Sequence, residues 1–281
     1  MPIYNISGNI VTTPYTYGGN TLSQVYNVNG NAIMFVVMSY NVMWFKDINS
    51  QQDMQNEIIA KYHPDIIGMQ ELRNYSTLPT VGAVMLAGYQ YKQFSNHDNK
   101  DLFVSKSLPL SNFSTADFTN QDPEDMTQYG ETRSYMKADI VVNGKTITWF
   151  NAHLCFLTRS VKWQQMSELF TMAQNCEYAI LTGDFNSYPM TVDSEEYTGM
   201  YKPFVDAGYK VLNCSPAYGF QNTYTSASNP NSLADLTHPH DSIIVSSNIT
   251  VTDVVFDTTK FNYKMPSKQF DHIPMVAYLQ I

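Results

Sequence analysis

The feature that most restricts the fold of this chain is a set of apolar runs that each meet a polar or charged residue at one end. "VVMSYN" stops at Asn41, "DIIGMQE" at Gln70 and Glu71, "TITWFNAH" at Asn151 and His153, and "YAILTGDFN" at Asp184 and Asn186. In "HPHDSII" and "QFDHIPM" the polar groups come first, with Asp241, Asp271 and His272 just ahead of the apolar stretch. Short runs of this kind, rich in Val and Ile, read as buried strands. A lone charge at a strand end is ordinarily solvated. A coordinated set differs, because carboxylates share a pocket only where a cation or a proton offsets their repulsion. An oxygen-rich donor set suits Mg²⁺ or Mn²⁺ better than zinc or copper.

The remaining pattern predicts more strands than helices. "YQYKQF", "DLFVSKS", "RSYMKADIVV" and "KTITWFNAHL" read as strands, with Asn143-Gly144 as a hairpin turn. "DSIIVSSN", "VTDVVF" and "IPMVAYL" close the chain as strands. Helices are expected in "NSQQDMQNEIIAKYHPD", capped by Ser50 and Asp53 and ended by Pro64, and in "SVKWQQMSELFTMAQN", with Trp163, Met166, Phe170 and Ala173 near one face. A third is expected in "DSEEYTGMYKPFVDAG", stopped by Gly208, and a long loop from Cys214 to His240. Two sheets packed face to face with helices outside would use this pattern economically. Residues 1–30 have a different texture, with "YNISG" echoed by "YNVNG". They are expected to form an arm or a small β-hairpin appendage, and residues 31–281 the main domain.

Composition limits the partners. A formal net charge of -9 disfavours a broad basic face for nucleic acid, though a cation can reverse the field inside a cleft. Cys155, Cys176 and Cys214 are odd in number and lack metal-site spacing, so neither a disulfide framework nor a zinc site is indicated. No apolar run reaches membrane-spanning length, and no basic-then-apolar leader is visible at the start. Oligomeric state and localisation are left open.

Taken in order, "SYNVMWF", "DIIGMQELR", "NAHL", "TGDFNSYP", "HDSIIVSS" and "FDHIPM" resemble the DNase I-like endonuclease/exonuclease/phosphatase superfamily. The resemblance spans Ser39 to Met275 and omits the first thirty residues. It implies an α/β (α+β) fold, a four-layer αββα sandwich of two mostly antiparallel sheets with outer helices. It also implies metal-dependent hydrolysis of phosphate esters. By this resemblance Asn41, Glu71 and Asp271 are metal ligands for Mg²⁺ or Mn²⁺. His153, Asp184, Asn186, Asp241 and His272 are the catalytic set, with Asp241 partnering His272. Ser242 departs from the aromatic or aliphatic residue often found after that Asp. Arg133 is a candidate phosphate donor, weighed evenly against a surface Arg beside Glu131.

Other residues have plainer readings. Tyr40, Trp44 and Phe45 would form an aromatic wall or simply pack. His63 and His97 read as surface residues, His240 as a pocket-edge residue, and Cys155 as a small buried apolar group. The expected substrate is a phosphate ester, nucleic acid among the candidates, cut by a phosphodiesterase or endonuclease. The alternatives are a phosphomonoesterase or sphingomyelinase-like phospholipid hydrolase, and a non-catalytic binding module on the same fold.

Overall fold

The computed structural model describes residues 3–4, 10–11, 15–17, 20–22, 34–42, 57–71, 88–94, 100–129, 132–226, 235–258 and 271–281. Near the start, β1 (Ile3–Tyr4) pairs with β2 (Ile10–Val11), and β3 (Tyr15–Tyr17) with β4 (Asn20–Leu22). The second copy of the repeat, Tyr26–Gly30, lies outside the described residues.

The main body contains two six-stranded sheets. One is built from β5 (Met34–Asn41), β6 (Ile66–Gln70), β7 (Tyr89–Phe94), β8 (Lys100–Ser105), β15 (Thr250–Phe256) and β16 (Met275–Gln280). Its order is β15-β16-β5-β6-β8-β7. The other is built from β9 (Leu110–Asp117), β10 (Ser134–Val142), β11 (Lys145–His153), β12 (Ala179–Asp184), β13 (Lys210–Val211) and β14 (Asp241–Val245), in the order β13-β14-β12-β11-β10-β9. Each sheet has one parallel pair, β5 with β6 and β11 with β12, and its other pairs are antiparallel.

The strand pattern divides the core into three layers. Inward residues Phe35, Val37, Ile66, Trp149, Ile180, Ile243 and Ala277 fill the space between the sheets. Their alternates Val36, Met38, Ile67 and Val276 pack with Ile58 and Ile59 of the helix at 57–62. On the opposite face Phe150, Leu181 and Ile244 meet Met166 and Leu169 of the helix Arg159–Ala173. A period of two on each strand and apolar surfaces on both sides make a four-layer αββα sandwich.

Gly68 sets how closely the sheets approach. A Cβ there would lie 2.3 Å from Thr182 Oγ1, 2.7 Å from Asn151 Oδ1 and 2.9 Å from the Trp149 ring. The side chains above it form a buried polar bridge. Gln70 Nε2 donates to Asn151 Oδ1 at 2.6 Å, Thr182 Oγ1 donates to the same oxygen at 3.1 Å, and Asn151 Nδ2 donates to the Met69 carbonyl at 2.8 Å. Gln70 and Asn151, two of the strand-end polar residues, therefore tie the sheets together beneath the cleft.

Local expectations are revised in four places. The "DSEEYTGMYKPFVDAG" segment is two short helices, Glu195–Met200 and Lys202–Asp206, because Pro203 near the start of the second removes an amide donor where they meet at Tyr201. The polar strand Leu110–Asp117 and the short strand Lys210–Val211 have no clear apolar alternation and were not expected. The segment expected as a long loop is tied down at Tyr224, which bridges to His238 and His272. The helix Arg159–Ala173 turns the expected Trp163, Met166, Phe170 and Ala173 to the core, and Lys162, Gln165 and Leu169 are buried beside them. The expected cap at Ser50 and Asp53, along with Trp44, Phe45 and His97, lies outside the described residues.

Candidate active site

Strand register gathers the polar residues at one end of both sheets. In the second sheet His153 pairs with Asp184 across the parallel strands, and Asp184 pairs with Asp241 across the antiparallel ones. In the first sheet Asn41 is level with Gln70, so Glu71 emerges beside it, and pairing of Met275 with Ser39 brings Asp271 and His272 to the same end. Glu71 and Asn186 both adopt left-handed backbone conformations, with φ of 61° and 51°. Such conformations in non-glycine residues persist only where the surroundings enforce them, and they cluster at functional sites.

The side chains form one network. Asn41 Nδ2 donates to Glu71 Oε1 and to Asp184 Oδ2, both at 2.9 Å. His153 Nε2 is 3.6 Å from Asp184 Oδ2 and 3.9 Å from Glu71 Oε1. His272 Nε2 lies 3.5 Å from the same Asp184 oxygen and 3.8 Å from Asp271 Oδ1. Its other nitrogen, Nδ1, is 2.8 Å from Asp241 Oδ2. The Asn186 amide N–H donates to Asp184 Oδ1 at 2.8 Å, and Asn186 Nδ2 donates to the Leu154 carbonyl at 2.8 Å. Asp184 is thus approached by two imidazoles, a side-chain amide and a backbone amide.

Burial acts to raise the Asp184 pKa, but His272 foremost, then His153, and the bond from Asn41 outweigh it. The carboxyl is held well below the usual range and is ionised at neutral pH. For His272 burial works the other way, yet Asp241, Asp184 and Asp271 raise its pKa to about 10. The proton between His272 and Asp241 therefore resides on the imidazole, and His272 is a cationic donor.

Glu71, His153, Asp184, Asn186, Asp271, His272 and Arg133 line a cleft of about 300 Å³. Arg133 is buried rather than on the surface. Its Nε lies 3.2 Å from Asp125 Oδ2, with both side chains 1% exposed, and its guanidinium is 5.4 Å from the centre of the Phe156 ring. Tyr40 is buried in the outer core layer and builds no wall. Cys155 is buried, its thiol pushed up to about 12 chiefly by desolvation, as a packing role requires.

Sequence reasoning underrated several cleft residues. His240 is buried and stacks on Tyr224, with ring centres 4.2 Å apart and planes 11° apart. Burial, foremost, keeps it neutral. Phe156, Tyr188 and Tyr224 also line the cleft. The doubled His of "HPHD" was a signal for His240. The three aromatics come from loops whose placement no local pattern encodes.

The donor set fits a divalent cation. One ligand-type atom from each of Glu71, His153 and Asp184 falls within a 4.8 Å span, as does one from each of Asp184, His240 and His272. The carboxylate oxygens and the His153 or His240 nitrogens can converge on an ion, whereas the protonated His272 cannot, and the ion would offset the repulsion between Glu71 and Asp184.

No protein-family model and no curated protein sequence matches the chain. Solved structures do. An endonuclease/exonuclease/phosphatase family protein from Bacteroides thetaiotaomicron aligns with a TM-score of 0.67 at 15% identity, over 89% of this chain and 96% of that one. D. rerio TDP2, solved with a single-strand DNA product, aligns with a TM-score of 0.65 at 15% identity, over 88% and 99%. The B. thetaiotaomicron mannosyl-6-phosphatase Bt3783 aligns with a TM-score of 0.63 at 16% identity, over 87% and 99%. The chain has the DNase I-like endonuclease/exonuclease/phosphatase fold, with an acidic and histidine cluster that could hold a metal ion at its sheet ends.

Proposed function

We propose that this chain is a Mg²⁺- or Mn²⁺-dependent phosphodiesterase with endonuclease-type chemistry. The observation that carries this reading is the placement of His153 and His272 at 3.6 and 3.5 Å from one Asp184 oxygen, with Asp241 fixed behind His272. Two nitrogen donors beside one acidic centre suit a diester. A diester has a single ionised oxygen to neutralise and a poor leaving group that gains from a proton.

Each residue has a task. Glu71, Asp271 and Asn41 would hold the cation, the Asn41 amide turning over from its Nδ2 bonds to Glu71 and Asp184 to present its oxygen. The bound ion supplies charge neutralisation at the phosphoryl oxygens. Asp184, too weak a base to take a proton early, accepts a hydrogen bond from the attacking water and aims it. Asn186 holds Asp184 through its backbone amide. His272, charged and oriented by Asp241, donates to a phosphoryl oxygen; His153 donates from the other side and passes a proton to the leaving oxygen as the P–O bond breaks, while the attacking water's proton goes to Asp184 late in the step. Arg133 contributes positive charge at the cleft wall.

The phosphomonoesterase reading has one specific support, the likeness in fold to a mannosyl-6-phosphatase. A panel separates the two: plasmid DNA, RNA, bis-p-nitrophenyl phosphate, p-nitrophenyl phosphate, sphingomyelin and inositol phosphates, each with Mg²⁺ or Mn²⁺. Diester cleavage ahead of monoester cleavage is expected. Phosphate release from monoesters with no diester cut would reverse the assignment, and silence on every substrate would favour a binding module.

A further inference from the structure

Lys162 is fully buried, on the first turn of the helix that follows His153. A lysine there is costly unless its charge is matched. Its Nζ lies 2.7 Å from Glu196 Oε1, donates to the Asn186 carbonyl at 2.6 Å, and sits 4.0 Å from the centre of the Tyr188 ring. Glu196 grips the same stretch, accepting from the Tyr188 amide at 3.0 Å, and its second oxygen accepts from Trp163 Nε1 at 3.1 Å. The buried pair therefore closes on Asn186, Ser187 and Tyr188, the segment that follows Asp184.

That segment needs such a clamp. Asn186 holds a left-handed backbone conformation, and its amide carries the 2.8 Å bond to Asp184 Oδ1. A released Asn186 would relax toward ordinary backbone angles and withdraw that amide, freeing the carboxylate to rotate. An apolar pair of similar volume commonly stabilises a fold as well as a buried ion pair does, so stability alone does not call for Lys162 here. Its charge also reaches the cleft, where, after burial, it helps hold His238 and His240 toward their neutral forms.

We propose that Lys162 is a positioning residue of the phosphate-ester site: locked by Glu196, its ammonium fixes the Asn186 backbone and, through the Asn186 amide, the Asp184 carboxylate. This rests on the reading of the cleft as a phosphoesterase site. Lys162 touches no substrate and acts only through the loop. Its loss should lower kcat while leaving KM nearly constant.

The test compares the full metal-loaded chain with Lys162→Met and with Lys162→Met/Glu196→Gln. The double variant removes both charges yet keeps an acceptor for the Tyr188 amide. Three quantities are read: kcat and KM on bis-p-nitrophenyl phosphate, melting temperature, and hydrogen exchange at the Asn186 amide. Lys162→Met should lose about 10–100-fold in kcat with KM within about threefold, the scale expected for a misplaced reacting group. Its Asn186 amide should exchange at least about tenfold faster while strand amides keep their protection. The double variant should regain melting temperature but neither kcat nor Asn186 protection. Recovery of kcat together with melting temperature would reduce Lys162 to a stability role and overturn the proposal, as would wild-type protection at Asn186 in either variant. If Lys162→Met does not fold, the double variant carries the same comparison. A wild-type chain that cleaves nothing would sink the phosphoesterase reading and with it any catalytic role for Lys162, while the exchange measurement would still decide whether the clamp exists.

Discussion

Asp65 is a carboxylate at the entrance of β6, and it makes stability depend on pH in a direction opposite to most acids. It is buried, its Oδ2 accepts from the Val36 amide at 2.9 Å, and its own amide donates to the Val36 carbonyl at 2.8 Å. Burial raises its pKa from 3.8 to about 6, against a smaller lowering by the Val36 bond. The folded chain therefore binds this proton more tightly than the unfolded chain does. The stabilisation is fully present below pH 3.8, fades as pH rises, and is gone above about pH 6. A rise of this size corresponds to about 3 kcal/mol. Asp65→Asn keeps an acceptor for Val36 and abolishes the titration. Its new amide hydrogens add a burial cost of about 1–3 kcal/mol that does not vary with pH. The diagnostic quantity is thus the change in the gap between variant and wild type. Urea unfolding at about pH 4 and about pH 7.5 should find that gap moving by about 2.5 kcal/mol in the variant's favour. A gap equal at both pH values would refute the reasoning that Asp65 is ionised and buried at neutral pH.

Gly68→Ala should destabilise by about 1–3 kcal/mol in urea unfolding, because neither the Trp149 ring nor the bonded Asn151 can yield to a Cβ. His272→Ala should lower turnover by about 10²–10⁴-fold with unchanged far-UV dichroism. Asp241→Asn should weaken the same step by losing the partner at His272 Nδ1, read as a kcat loss smaller than that of His272→Ala.

Much of the site was legible because strand ends carry it. A strand run is a short-range signal, and residues such as Asn41, His153 and Asp184 terminate one directly. Once two sheets pack with parallel central pairs, register alone brings them together. Gln70 and Asn151 end strands in the same way, yet their side chains point between the sheets and bond each other. Facing direction depends on where the pleat ends, and a residue shift of one reverses it. The helix Arg159–Ala173 was found by its period, but the burial of Lys162 and Gln165 beside its apolar face was not foreseen, because polar side chains carry no apolar signal. Their partners, Glu196 and the Asn186 carbonyl for one and the Cys155 amide for the other, are distant in sequence or on a loop. Leu110–Asp117 escaped for a related reason. It is an edge strand, largely exposed, so its alternation is weak.

The cluster around Asp184 is proposed to hydrolyse phosphate esters with a divalent cation held chiefly by Glu71. The most direct measurement is turnover of bis-p-nitrophenyl phosphate by metal-stripped protein, before and after Mg²⁺ or Mn²⁺ is restored, for wild type and for Glu71→Gln. No turnover is expected in the stripped state, with recovery on adding either ion and a loss of about 10²-fold or more in folded Glu71→Gln with either ion present. Full turnover after exhaustive chelation, or wild-type turnover in Glu71→Gln, would contradict this proposal.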